Sequence, residues 1–133
     1  MRIYDALQGH LAQLVGRELH TLAQEKIFII ERVVPENDKQ VEWLIKLAVG
    51  EKGNEQSIYL TDILRVYTWV VSINWGKWIT VTDMEKFISS SQDIVSKKNA
   101  SYMMSILATF DDVESRTGQG AAIKFKPKSM DYK

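Results

Sequence analysis

The side chains that could do chemistry are few and scattered. Two histidines, His10 and His20, stand ten residues apart, without the HxxxH or HExxH spacing that puts two imidazoles on one helix face for a metal. Each reads as a surface or interface histidine. Glu31, Glu42 and Lys46 come nearest to the carboxylate plus (Asp/Glu)-x-Lys arrangement of a metal-dependent nuclease. Glu42 and Lys46 are four apart rather than two; they still share one face of a strand, and read as a cross-strand surface charge pair. No GxSxG elbow is present. Gly118-Gln119-Gly120 runs into Ala121-Ala122, not into a phosphate-binding helix pattern. A chain without cysteine has neither thiolate ligands nor a disulfide framework. The sequence predicts a non-catalytic protein with no catalytic residue, no metal site and no cofactor.

What remains is basic and aromatic. Asn74-Trp75-Gly76-Lys77-Trp78 sets two tryptophans around a glycine, which suits a corner wedged against the core or an aromatic platform on which bases stack. Lys and Arg number 17 and so do Asp and Glu, for a net charge of zero. That argues against a whole-protein attraction to nucleic acid. The charges are unevenly placed, however. From Ser96 onward seven basic residues face four acidic ones.

These groups must be held by a folded body, and 45% hydrophobic content in 133 residues is enough for one core. The spacing of Ile3, Leu7, Leu11 and Leu14 predicts an amphipathic helix over Arg2–Val15, stopped by Gly16. Arg17 to Glu25 reads as a loop or a further helical turn. Ile27–Val34 and Val41–Val49 predict two strands joined by a turn at Pro35–Lys39, hence an antiparallel hairpin. Ser57–Leu60 suggests a third, short strand. Thr61 or Asp62 can cap a helix running to Ser72, although Val66–Val71 also has strand propensity.

The second half carries Thr82-Asp83-Met84-Glu85, which has capping-box spacing, and a short helix to Ile88 or Ser89. A Ser-rich turn follows, then a helix capped by Asn99 or Ser101 with Tyr102, Met103, Ile106, Leu107 and Phe110 on its apolar face. Beyond it, Gly118-Gln119-Gly120 joins two extended arms, and Ala122–Lys126 alternates apolar and basic. Helix, turn, helix and hairpin over Thr80–Lys128 resembles a winged helix-turn-helix unit at the level of pattern. The resemblance implies a recognition helix near Asn99–Phe110 and a wing near Arg116–Lys126. It implies that Lys97, Lys98, Asn99 and Ser101 sit at the entrance of the recognition helix in a major groove, with Asn99 able to pair bidentately with adenine and the lysines able to meet phosphates or guanine. Arg116, Lys124 and Lys126 would then meet phosphates. The outer side of that helix, Ser105, Ala108 and Thr109, has no cation, and Asp111, Asp112 and Glu114 stand close to the wing.

The expectation is one α+β domain: an N-terminal helix, a small antiparallel sheet, then a helical C-terminal half with a terminal β-hairpin. Residues 1–79 would form the body, 80–128 the helix-turn-helix and hairpin, and 129–133 a tail. No apolar run is long enough to span a membrane, and Met1-Arg2-Ile3-Tyr4-Asp5 is no secretory signal, so cytoplasmic residence is inferred. Duplex DNA is the leading partner. The alternative is a protein-interaction module, a homodimer joined through Tyr67, Trp69 or Trp78.

Overall fold

Leu7, Leu11 and Leu14 are the residues that helix α1 (Ile3–Gln13) and the turn after it bury, as their spacing requires. Gly16 ends the helix at φ +84, a conformation that favours glycine. Its N–H reaches the Ile30 carbonyl at 2.8 Å and leads the chain into a sheet. The computed structural model describes residues 3–35, 42–74, 76–91 and 100–125. Most of the Pro35–Lys39 turn, residues 92–99 after the Ser-rich stretch, Trp75 and the 129–133 tail lie outside them.

Strands β1 (Glu18–His20), β2 (Ile27–Pro35), β3 (Trp43–Val49) and β4 (Asn54–Tyr59) form an antiparallel sheet in that order. Ile45, Leu47 and Val49 of β3 are buried and alternate with half-exposed Lys46 and Ala48. In β2 the phase changes at Glu31. Ile30 pairs with Leu47 while Arg32 pairs with Lys46, so Glu31 is the extra residue of a bulge. Phe28 and Ile30 face the core before it and Val33 after it. Arg17–Glu25, read as a loop or helical turn, contains β1 and a tight return. In that return the buried Thr21 accepts the Lys26 N–H on its hydroxyl at 2.9 Å.

Strand β4 runs directly into helix α2 (Leu60–Ile73). Tyr59 holds the cap position with no side-chain bond. The role expected of Thr61 or Asp62 falls to Glu42, just before β3. Its carboxylate accepts from the Thr61 N–H at 3.3 Å, the Trp43 N–H at 3.0 Å and the Thr61 hydroxyl. A carboxylate from a neighbouring strand thus meets the positive end of the helix. Ile63, Val66 and Val70 are fully buried; that stripe fits a helix better than the strand which Val66–Val71 alone would favour.

The chain then forms β5 (Ile79–Thr80), α3 (Val81–Ser90), α4 (Ala100–Leu107), β6 (Val113–Arg116) and β7 (Ala122–Phe125). These strands make a second antiparallel sheet in the order β5-β7-β6. The capping box is set two residues earlier than the sequence suggests. Thr80, not Thr82, is the cap: its Oγ1 accepts from Asp83 N–H at 3.1 Å, and Asp83 Oδ2 accepts from Thr80 N–H at 3.0 Å.

The expected order is therefore wrong. The C-terminal half is not a helical block closed by a lone hairpin: strands and helices are mixed through it, and the described residues form two antiparallel sheets rather than one. The cause is two strands, of three and two residues, too short to show a period. β5 pairs Ile79 with Ile123 and Thr80 with Ala122, converting the hairpin into a sheet.

Helix α4 is enclosed. Met103, Met104, Ser105, Ile106 and Leu107 are all buried, and the helix packs on α2, α3 and β1. The Tyr102 ring meets Phe28 of the first sheet edge-on at 5.1 Å. Ser105, expected on an outer side, is 4% exposed and donates its hydroxyl to the Ser101 carbonyl at 3.1 Å. A carboxylate placed there would be buried without a cation, so Ser105→Asp should destabilise the fold by at least about 2 kcal/mol in urea unfolding. Wild-type stability in that variant would show that this side of α4 faces water.

Candidate functional site

Strand register decides which side chains share the outer face of the second sheet. Glu114 pairs with Lys124, and Arg116 and Thr80 both pair with Ala122, so these five look the same way. Ile79, Ile123 and Phe125 look the other way, into the core. Trp78, one residue before Ile79, joins the outer set. The Arg116 guanidinium carbon lies 3.6 Å from the centre of its ring, and Lys124 Nζ lies 5.0 Å away. Both cations are within cation–π range.

Beside Trp78 lies a groove of about 500 Å³ between α2, the 74–79 segment and α3, with Lys77 and Lys86 on its rim. Trp69 and Phe87 line it with their rings stacked at 4.4 Å and 9°. Among its described lining residues Asp83 is the one acidic group, and that carboxylate is held by the capping box. Among the described residues, the ion pairs lie on the first sheet, Glu18 with His20 and Glu55 with Arg32 and Lys46. None takes Lys77, Lys86, Arg116 or Lys124.

Of the residues singled out in the sequence, Arg116 and Lys124 are brought together. Lys97, Lys98, Asn99 and Lys126 lie outside the described residues. Ser101 sits half-buried in the first turn of α4. Sequence reasoning missed Lys77 and Lys86. Lys77 could have been found from its place between Gly76 and Trp78, whereas Lys86 needed the fold. Tyr67, Trp69 and Trp78, considered as dimer contacts, are each half-buried and already packed. Tyr67 meets Phe110 and Phe125, Trp69 stacks on Phe87, and Trp78 lies under Arg116.

Known proteins offer no match. No family model fits the chain, and no curated protein or solved structure is significantly similar to it. Among the described residues no helix is long and apolar enough to cross a membrane, and no group of three or more His, Cys, Asp or Glu could hold a metal ion. Glu42 and Lys46, weighed as nuclease residues, are occupied locally, Glu42 at the start of α2 and Lys46 by Ser57 at 3.0 Å.

A second cleft, of about 470 Å³, lies between α1, Tyr67 and the turn after α4. Asp111 and Asp112 line it; the sequence had set them near the wing. Thr109 donates its one hydroxyl proton to the Ile106 carbonyl at 2.6 Å, so it must accept from His10 Nε2 at 2.8 Å. Neutral His10 therefore carries its proton on Nε2 and keeps Nδ1 as the acceptor. The ring packs edge-on against Phe110 at 4.4 Å. Burial lowers the His10 pKa below its ordinary 6.5; Asp111 opposes the shift and Arg17 adds to it. Burial, with a smaller contribution from Asp112, raises Tyr67 above 10.0.

His10 links this cleft to pH. The unfolded chain takes up the proton near 6.5 and the folded chain only at lower pH, so its contribution is complete above 6.5 and is lost as pH falls through the folded value. Urea midpoints measured between about pH 7.5 and 5 should fall with pH, and His10→Gln should flatten part of that slope. An unchanged slope in the variant would remove His10 from this role.

Proposed function

We propose that this chain binds nucleic acid, gripping the phosphate backbone with the cations of its second sheet. The observation that carries the reading is the meeting of Arg116 and Lys124 over Trp78, beside a groove rimmed by Lys77 and Lys86. A guanidinium and three ammonium groups on one surface are the electrostatic footprint that a phosphate chain requires. Of the pattern expected from the sequence, the part that supports this reading is the β6–β7 hairpin, which β5 closes into a sheet; α4, buried from Met103 to Leu107, is not its reading element. In this reading the hairpin serves as the wing. Lys97, Lys98, Asn99 and Lys126 belong to the same proposal by sequence alone.

The test is binding of a labelled oligonucleotide, duplex and single-stranded, across a salt series. If four cations each neutralise one phosphate, log K should fall against log salt with a slope of about −3, and Arg116→Ala or Lys124→Ala should each reduce that slope by about 0.8. No binding at low salt, or variants that bind like the wild type, would overturn the reading.

A further inference from the structure

We infer that the nucleic acid this surface takes is single-stranded, with an unpaired base stacked on the Arg116 guanidinium above Trp78. This rests on the nucleic-acid reading above and names its partner.

Reading a duplex through a helix-turn-helix requires one helix to enter the major groove and show side chains to base edges. The helix in that position is α4. Its residues Met103 to Leu107 are buried in an unbroken run, and its first turn is half-closed, with Tyr102 engaged on Phe28. From Met103 onward it has no side left to insert. What the surface does present is planar and positive. The exposed Arg116 lies over Trp78 and shows its guanidinium plane to solvent, whereas Trp69 and Phe87 cover one another's faces beside Lys77 and Lys86. Rings and guanidinium planes bind bases through their π-faces. In a duplex those faces are covered by neighbouring pairs, whereas in a single strand they are free. The neighbouring groove is open, and its lysines, Lys77 and Lys86, stand where the phosphates beside such a base would run. Local charge agrees. Lys77, Lys86, Arg116 and Lys124 outnumber Asp83 and Glu114, and Asp83 is tied to the Thr80 N–H while Glu114 lies opposite Lys124.

The experiment is anisotropy on the full chain with labelled oligo-dT and oligo-dA of about 12 nucleotides, against a duplex of the same length at the same salt. The single strands should bind at least tenfold more tightly. Arg116→Lys keeps the charge and removes the plane, so it should weaken single-strand binding about fivefold or more and leave the salt slope unchanged. Tryptophan emission should be quenched on binding, and the quench should shrink in Trp78→Phe. A duplex bound as tightly as the single strands, or an Arg116→Lys variant with undiminished affinity, would overturn the single-strand inference while the nucleic-acid reading stands. Binding to neither form would overturn both.

Discussion

Helix α4 buries Met103, Met104, Ser105, Ile106 and Leu107 in succession, and a helix closed on every side needs a partner on every side. Helices α2 and α3 supply two of them, and strand β1 of the first sheet another. The aromatic residues are arranged by this packing. Tyr102 at its start reaches Phe28, and Phe110 just beyond its end gathers His10, Tyr67 and Phe125. The core is continuous from Leu7 of the first helix to Phe125 of the last strand. With α4 committed inward from Met103 to Leu107, the exposed groups described nearby belong to the second sheet and its flanking segments, Arg116 and Lys77 among them.

The outer face of the second sheet carries Arg116 and Lys124 against Glu114, one positive charge in excess, although the chain as a whole is neutral. The reason lies in where the carboxylates go. Glu42 answers the start of α2, Asp83 the start of α3, and Glu55 is shared by Arg32 and Lys46. Asp111 and Asp112 line the His10 cleft. Glu42 and Glu55, engaged on the first sheet, are not beside Arg116 and Lys124, whereas Asp83 shares the groove with Lys77 and Lys86. Trp78 then holds two of the remaining cations near one another, since a ring face attracts a guanidinium and an ammonium that would otherwise repel each other.

Much of the secondary structure could be read from the sequence where a period was long enough to show. The Leu7-Leu11-Leu14 stripe, the alternation from Trp43 to Val49 and the Ile63-Val66-Val70 stripe are local patterns that survive folding. Other features depend on contacts distant in sequence. Nothing near Tyr59 says that Glu42 will cap its helix. Glu18–His20 and Ile79-Thr80 become strands only because Ile27–Ile29 and Ala122-Ile123 are there to pair with them. Two threonines, Thr80 and Thr82, each stand three residues before a carboxylate; the extended backbone at Thr80 (φ −83, ψ 168) gave it the cap. At the candidate site, Arg116 and Lys124 were legible as basic residues on alternating arms. Their meeting over Trp78 was not, because it follows from the pairing of three strands. Ser105 misled most: a polar residue suggests a water-facing side, yet this one satisfies its hydroxyl within its own helix and is enclosed.

The turn between β6 and β7 is anchored at its tip. Gly118, at φ +75, donates its N–H to the Leu22 carbonyl at 2.7 Å, and Gly76 donates to Phe125 at 3.2 Å. The first of these bonds fastens the hairpin to the return between β1 and β2. A loop free to swing could wrap whatever it touched; one moored at its apex offers a fixed edge. Severing the chain ahead of β5 would release that mooring and take from α4 its contacts with α2, β1 and Phe28, leaving a sticky remnant rather than a portable module.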